Sequence, residues 1–181
     1  MKFTEEKLEK AFTELLGQEE FQHHLGNSIA RKPDEVLIEE DLRSFLLTHY
    51  ASQDITLHEA NSIILQLKSL PSSDLYESNK SFLRMLSDGF ILKREDRSKK
   101  DIYIQLVNFA GLNKQRIPES EQLLSIAAEP KEAYLKDTNI YKFVTQLEIS
   151  GNEKRIPDGI VYINGLPLVV FEFKSANLPK L

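Results

Sequence analysis

The chain has 181 residues, enough for one domain with its own core, and its 41% hydrophobic and 28% charged residues are ordinary for a soluble globular protein. With no cysteine it can form neither a disulfide framework nor a thiolate metal site; no apolar run approaches the roughly 20 residues of a bilayer span, and the N-terminus lacks a signal-peptide core. The expected compartment is therefore a reducing cytoplasm, with no membrane partner. A net charge of −5 argues against a stand-alone nucleic-acid-binding domain, since phosphate contacts demand positive potential. A protein that meets nucleic acid through partner subunits, or whose acidic site is neutralised by a metal, stays open.

In chain order, residues 4–17 are expected to form an amphipathic helix, with Thr4 as N-cap and Leu8, Phe12, Leu15 and Leu16 on one face. Glu5, Glu6 and Glu9 crowd its first turns, where carboxylates suit the helix dipole. Glu9 borders the apolar face, while Glu5 and Glu6 are expected to face water. Residues 18–90 read as a helical, polar-linked layer. Glu39–Ala51 carries Leu42, Phe45, Leu46 and Tyr50 at helical spacing, and Thr56-x-x-Glu59 is a capping box before a helix that Pro71 ends. A third helix is expected over Leu75–Leu86, stopped by Asp88-Gly89. His23, His24, His49 and His58 show no paired ligand spacing and are expected to be ordinary surface or half-buried residues. Lys93, Arg94, Arg97, Lys99 and Lys100 cluster around Glu95 and Asp96, and a solvated loop is favoured there over a DNA contact.

The remainder is β-rich. Asp101–Phe109 alternates Ile102, Ile104 and Leu106 with Tyr103, Gln105 and Val107, as a strand would. Residues 110–138, with Gly111, Pro118, Pro130 and the apolar pair Leu123-Leu124, read as a long connection with one helical turn. Strands are expected at about 140–149, 157–163 and 168–174.

The last two of these strands flank Asn164-Gly165, a strong hairpin signal. Folding the hairpin about that turn brings Asp158 within about a residue of being opposite Glu172, close enough for side chains to touch. Alternation puts Glu172 and Lys174 on one face and Phe173 on the other. Two carboxylates and a lysine thus converge, and charges gathered at the end of a buried hairpin need pairing or a metal. Two carboxylates can hold Mg²⁺, which keeps several waters and asks for few protein oxygens. A lysine beside them can orient a water and stabilise charge building on a phosphate. The rival is an edge-strand salt bridge in solvent, and an isolated Glu-x-Lys would favour it.

The segment Asp158 to Lys174, containing Asn164-Gly165-Leu166-Pro167-Leu168-Val169, shows the Pro-Asp … Glu-x-Lys pattern of PD-(D/E)xK nucleases. It resembles the nuclease motif in the restriction (R) subunit of type I restriction enzymes. Asn139–Glu148 resembles the strand that precedes this motif in those subunits, and Thr4–Phe12 their first helix, which supplies an upstream glutamate; Glu9 is the matching position.

The resemblance implies a restriction-endonuclease-like α/β fold, a mixed sheet of at least four strands flanked by helices. The expected organisation is one N-terminal nuclease domain fragment over residues 1–181, with a helical insertion at 18–90 and a β-rich catalytic core at 100–174. It further implies Mg²⁺-dependent endonucleolytic cleavage of double-stranded DNA, with modification and specificity subunits as partners. Asp158 and Glu172, with the Phe173 carbonyl, are the implied metal ligands. Lys174 would position the attacking water, and Glu9 would add a metal or water contact. Relatives continue with a Gln-x-x-x-Tyr helix and ATP-driven motor domains. Neither that helix nor a Gly-rich phosphate loop follows before Leu181, so a truncated piece of a larger subunit is expected. Two alternatives are a PD-(D/E)xK nuclease of DNA repair or recombination, and a non-catalytic subunit-docking module.

Overall fold

The computed structural model describes residues 4–112, 137–151 and 153–174. The elements run α1 (Glu5–Gln18), β1 (Gln22–Leu25), α2 (Glu39–His49), α3 (Leu57–Lys68), α4 (Leu75–Ser87), β2 (Phe90–Leu92), β3 (Ile102–Ile104), α5 (Phe109–Leu112), β4 (Tyr141–Thr145), β5 (Ile149–Ser150), β6 (Lys154–Arg155), β7 (Gly159–Ile163) and β8 (Leu166–Phe171). They divide into two compact units, one drawn from Met1–Asp41 and Ile140–Leu181, the other from Leu42–Asn139.

The first unit is built on a four-stranded sheet of order β1-β4-β7-β8, in which β1 runs parallel to β4 and the other neighbours are antiparallel. Its central strands are buried on both faces: Phe143, Val144, Ile160, Val161 and Tyr162 are all buried. Val144, Ile160 and Tyr162 pack on one face with Ile38 and Leu147. The opposite face carries Phe143 and Phe171, and α1 lays Phe12 against both, with ring centroids 5.6 Å and 4.4 Å away. The apolar face of α1 is narrower than its sequence suggests, because Leu15 is 53% exposed.

The Asn164-Gly165 turn forms as expected. Ile163 pairs with Leu166, and both turn residues take positive φ, 53° and 74°, the signature of a type I′ hairpin. The buried Asn164 side chain also accepts the Ile140 N–H at 2.7 Å, while the Asn164 backbone N–H donates to the Ile140 carbonyl at 2.8 Å. Gly165 is required twice over, by its φ and because a Cβ there would lie 2.1 Å from the Ile38 carbonyl oxygen.

In the second unit, Thr56 and Glu59 complete the expected capping box at the start of α3. Asp74 caps α4, and Gly89 follows its end at φ 65°. Leu42, Phe45, Leu46, Ile63, Ile64, Ile102 and Ile104 lie in the core. The Tyr50 hydroxyl donates to the Gln105 carbonyl at 3.1 Å and accepts its N–H at 2.6 Å.

Several expectations change. The strand expected over 101–109 is only the three residues of β3, and it pairs antiparallel with β2 in a hairpin of its own. Its continuation bends away at Asn108, whose N–H and carbonyl are bonded to the Asn139 side chain at 2.8 Å and 3.0 Å. The strand expected over 140–149 breaks at Gln146, which takes φ 55° between β4 and β5. β1 lies inside the stretch read as helical. The boundaries 18–90 and 100–174 do not coincide with the two units, because β1 joins the main sheet and β3 joins the helical unit. Pro118, Leu123, Leu124 and Pro130, and the chain end from Ser175, lie outside the described residues.

Candidate active site

The register of the β7–β8 hairpin decides which residues meet at its open end. From the turn the pairs run Ile163–Leu166 and Tyr162–Pro167, and then slip by one, to Val161–Val169, Ile160–Val170 and Gly159–Phe171. The extra residue is Leu168, a β-bulge beside a proline that could not have donated to the ladder in any case. Without the bulge, Asp158 would lie opposite Phe171. With it, the next position across from Asp158 is Glu172.

The two segments are in contact there. Asp158, half-buried, accepts the Phe173 N–H on its Oδ2 at 2.5 Å. Phe173 in turn packs its ring 5.7 Å from Phe12 and stacks 6.1 Å from Phe171. Phe171 and Phe173 thus share the α1 face, so alternation directs Glu172 to the other face, that of Ile160 and Tyr162. Lys174 follows with the same parity, and both Glu172 and Lys174 are exposed. Gly159 makes the close strand approach possible: a Cβ there would lie 2.4 Å from two ring carbons of Phe143.

Glu9 is half-buried on the α1 face that also carries Phe12 and Thr13, as its i+3 and i+4 neighbours require. Phe12 packs on the sheet face of Phe143 and Phe171. Among the described residues no three His, Cys, Asp or Glu side chains gather as a metal-holding group. Asp158 and Glu172 follow the last ladder pair, Gly159–Phe171, on its two strands, and Glu9 lies on the helix whose Phe12 packs against Phe171 and Phe173. The basic residues nearby in sequence are engaged in exposed ion pairs, Lys154 with Glu148 at 2.7 Å and Arg155 with Glu153 at 3.1 Å.

The model for the type I restriction enzyme R protein N terminus matches residues 2–180. The chain belongs to this family. Among curated proteins it is 25% identical over 122 residues, 67% of the chain, to the "Putative type I restriction enzyme MjaIXP endonuclease subunit" of Methanocaldococcus jannaschii. It is 29% identical over 118 residues, 64% of the chain, to the type I restriction enzyme HindI endonuclease subunit of Haemophilus influenzae. The matched region is 10% and 9% of those proteins, so the chain spans about a tenth of their length. No solved structure matches. The mixed four-stranded sheet with its helices is consistent with the restriction-endonuclease-like core expected of an R subunit N terminus. No helix among the described residues is long and apolar enough to cross a membrane.

This R-subunit domain also holds a charged cluster without a sequence signal. Lys142 on β4 pairs with Asp41, 101 residues away, at 2.7 Å, with both side chains largely buried. His24, on the neighbouring strand β1, is held neutral to lower pH than usual, by burial first and then by the Lys142 charge. His23 on the other face bonds the Thr145 hydroxyl at 2.9 Å. Periodicity could not foresee these partners, because Asp41 lies on α2 and His23 and His24 on β1, far in sequence from β4.

Proposed function

We propose that this R-subunit N-terminal domain cleaves double-stranded DNA endonucleolytically, with Mg²⁺ as cofactor and Asp158, Glu172 and Lys174 as the working residues of a PD-(D/E)xK site. What supports this is the bulged register, which sets Asp158 across from Glu172 at the hairpin's open end, together with the family's endonuclease-subunit relatives. The donor set suits the ion: two carboxylates and a neighbouring carbonyl, that of Phe173, are the hard oxygen ligands Mg²⁺ prefers. When bound, the ion supplies charge stabilisation at the phosphate and lowers the pKa of water.

The chain's own residues do the rest. The Phe173 N–H holds the Asp158 carboxylate in one orientation. The exposure of Glu172 and Lys174 leaves the hairpin end open to a polymer substrate. Lys174 orients the attacking water and offsets charge on the scissile phosphate. Glu9 belongs as an additional metal or water contact, on the ground that its helix neighbour Phe12 touches Phe173 past the end of β8. In the whole subunit, ATP would drive separate motor domains, while modification and specificity subunits would direct the cut.

The test is Lys174→Ala in the full-length subunit assembled with its partners. Cleavage should fall by at least about 100-fold, the lower range for removing a catalytic proton-transfer or charge-stabilising group, with ATP hydrolysis unchanged. Undiminished cleavage would remove Lys174 and favour a docking role.

A further inference from the structure

The most strongly basic run of the chain, residues 93–101, is the loop of the β2–β3 hairpin and holds five basic and three acidic residues in a chain of net charge −5. Its charges divide into two groups. One basic residue and the acids are engaged in holding the loop together. The Arg94 side chain is buried: its Nε and one terminal nitrogen donate to the two oxygens of Glu59 at 2.9 Å and 3.1 Å, and its guanidinium reaches the carbonyls of Gln53 and Asp54 at 2.9 Å and 2.7 Å. The Arg94 N–H donates to Asp101 at 3.2 Å, closing the base of the loop. Asp96 accepts the Ser98 N–H at 2.9 Å and its hydroxyl at 2.6 Å, a turn made by its own side chain. Glu95 lies 3.2 Å from the His58 ring.

The other four basic residues, Lys93, Arg97, Lys99 and Lys100, are exposed, and none has an ion pair among the described residues. Here the acids are engaged within the loop and its anchor, with Asp96 also feeling the Lys99 charge, and the four exposed cations project from a loop fixed at its base.

We propose that this loop is a contact for the phosphate backbone of duplex DNA, made by Lys93, Arg97, Lys99 and Lys100. The proposal rests on the nuclease assignment above and adds a binding surface to it. The three lysines are point charges on flexible stems and the Arg97 guanidinium is a fork that matches phosphate oxygens; phosphate contacts position a protein without reading sequence. The loop has no aromatic residue, so it lacks the stacking platform a single strand requires. A pre-anchored loop also gives up less conformational freedom on binding than a disordered basic tail.

The test is fluorescence anisotropy of the 181-residue chain with a labelled duplex of about 30 base pairs, long enough for several phosphate contacts, in chelator, over a salt series. The fourfold variant Lys93→Gln, Arg97→Gln, Lys99→Gln, Lys100→Gln keeps Arg94 and Asp96, so its loop should stay folded; the double variant Arg97→Gln, Lys99→Gln is the check. The slope of log affinity against log salt should shrink by about 0.9 for each phosphate no longer neutralised, about 3.6 for the four. The double variant should show about half that reduction. Unchanged affinity and slope in the fourfold variant, or no duplex binding by the parent chain at low salt, would overturn the contact. Tighter binding to polyglutamate than to duplex of equal charge would also overturn it, in favour of an acidic protein partner. Chelator keeps this separate from the chemistry: an unchanged slope beside Lys174-dependent cleavage removes the loop alone, and a reduced slope without Lys174 dependence removes the nuclease assignment alone.

Discussion

The carboxylate of Asp158 and the backbone N–H of Phe173 are joined at 2.5 Å, so the residue just before β7 orients the tripeptide that follows β8. This link separates two contributions of Asp158. Asp158→Asn keeps an oxygen to accept the N–H and removes the charge; Asp158→Ala removes both. In chemical denaturation of the metal-free chain, Asp158→Ala should cost about 1 kcal/mol more than Asp158→Asn, the net worth of one hydrogen bond. Equal stability of the two variants would mean the bond contributes nothing in solution.

Gly159→Ala should destabilise the sheet unit by about 1–3 kcal/mol, the usual cost of overpacking. Its Cβ would press on Phe143, which is fully buried and already touches Phe12 and Phe171. Urea denaturation read by a sheet-sensitive signal measures this, and a neutral result would show that the Phe143 ring can move aside.

Lys142→Met should cost about 3 kcal/mol, since it leaves the Asp41 carboxylate buried without its partner. The double variant Lys142→Met, Asp41→Leu should recover most of that stability. Failure of the double variant to recover any would mean that the pair matters through packing alone.

The Glu59–Arg94 pair sets a pH dependence. Burial by itself would raise the Glu59 pKa, yet hydrogen bonds from Thr56 and Arg94 carry it below the ordinary 4.5. A carboxyl depressed on folding contributes stability that is fully present above its unfolded pKa and is lost as pH falls through the folded value. The acid limb of the stability curve should therefore steepen below about pH 4.5, the unfolded value, and Glu59→Gln should flatten it while lowering stability at neutral pH. An identical acid limb in that variant would assign the effect to other groups.

How much of this was legible depended on how local each signal was. Asn164-Gly165 and Thr56-x-x-Glu59 encode their structures within four residues, and both form as their chemistry dictates. β1 was hidden because Gln22-His23-His24-Leu25 has neither β-branched residues nor clean alternation; it is a strand only because β4 pairs with it. Asp101–Phe109 alternates well over its length, but only Ile102–Ile104 finds a partner strand. At the site, sequence brought Asp158 to within a residue of Glu172, and Leu168 supplies the last step. A bulge is a tertiary decision, and Pro167 was its one local hint.

The most direct test of the account is calorimetric titration of the chain with Mn²⁺, a stand-in for Mg²⁺ that favours the same oxygen ligands. The parent chain should show a single-site heat that Asp158→Asn and Glu172→Gln each abolish and that Lys174→Ala retains. A site of unchanged affinity in Asp158→Asn would place the metal elsewhere and contradict the assignment of the hairpin end as the catalytic centre.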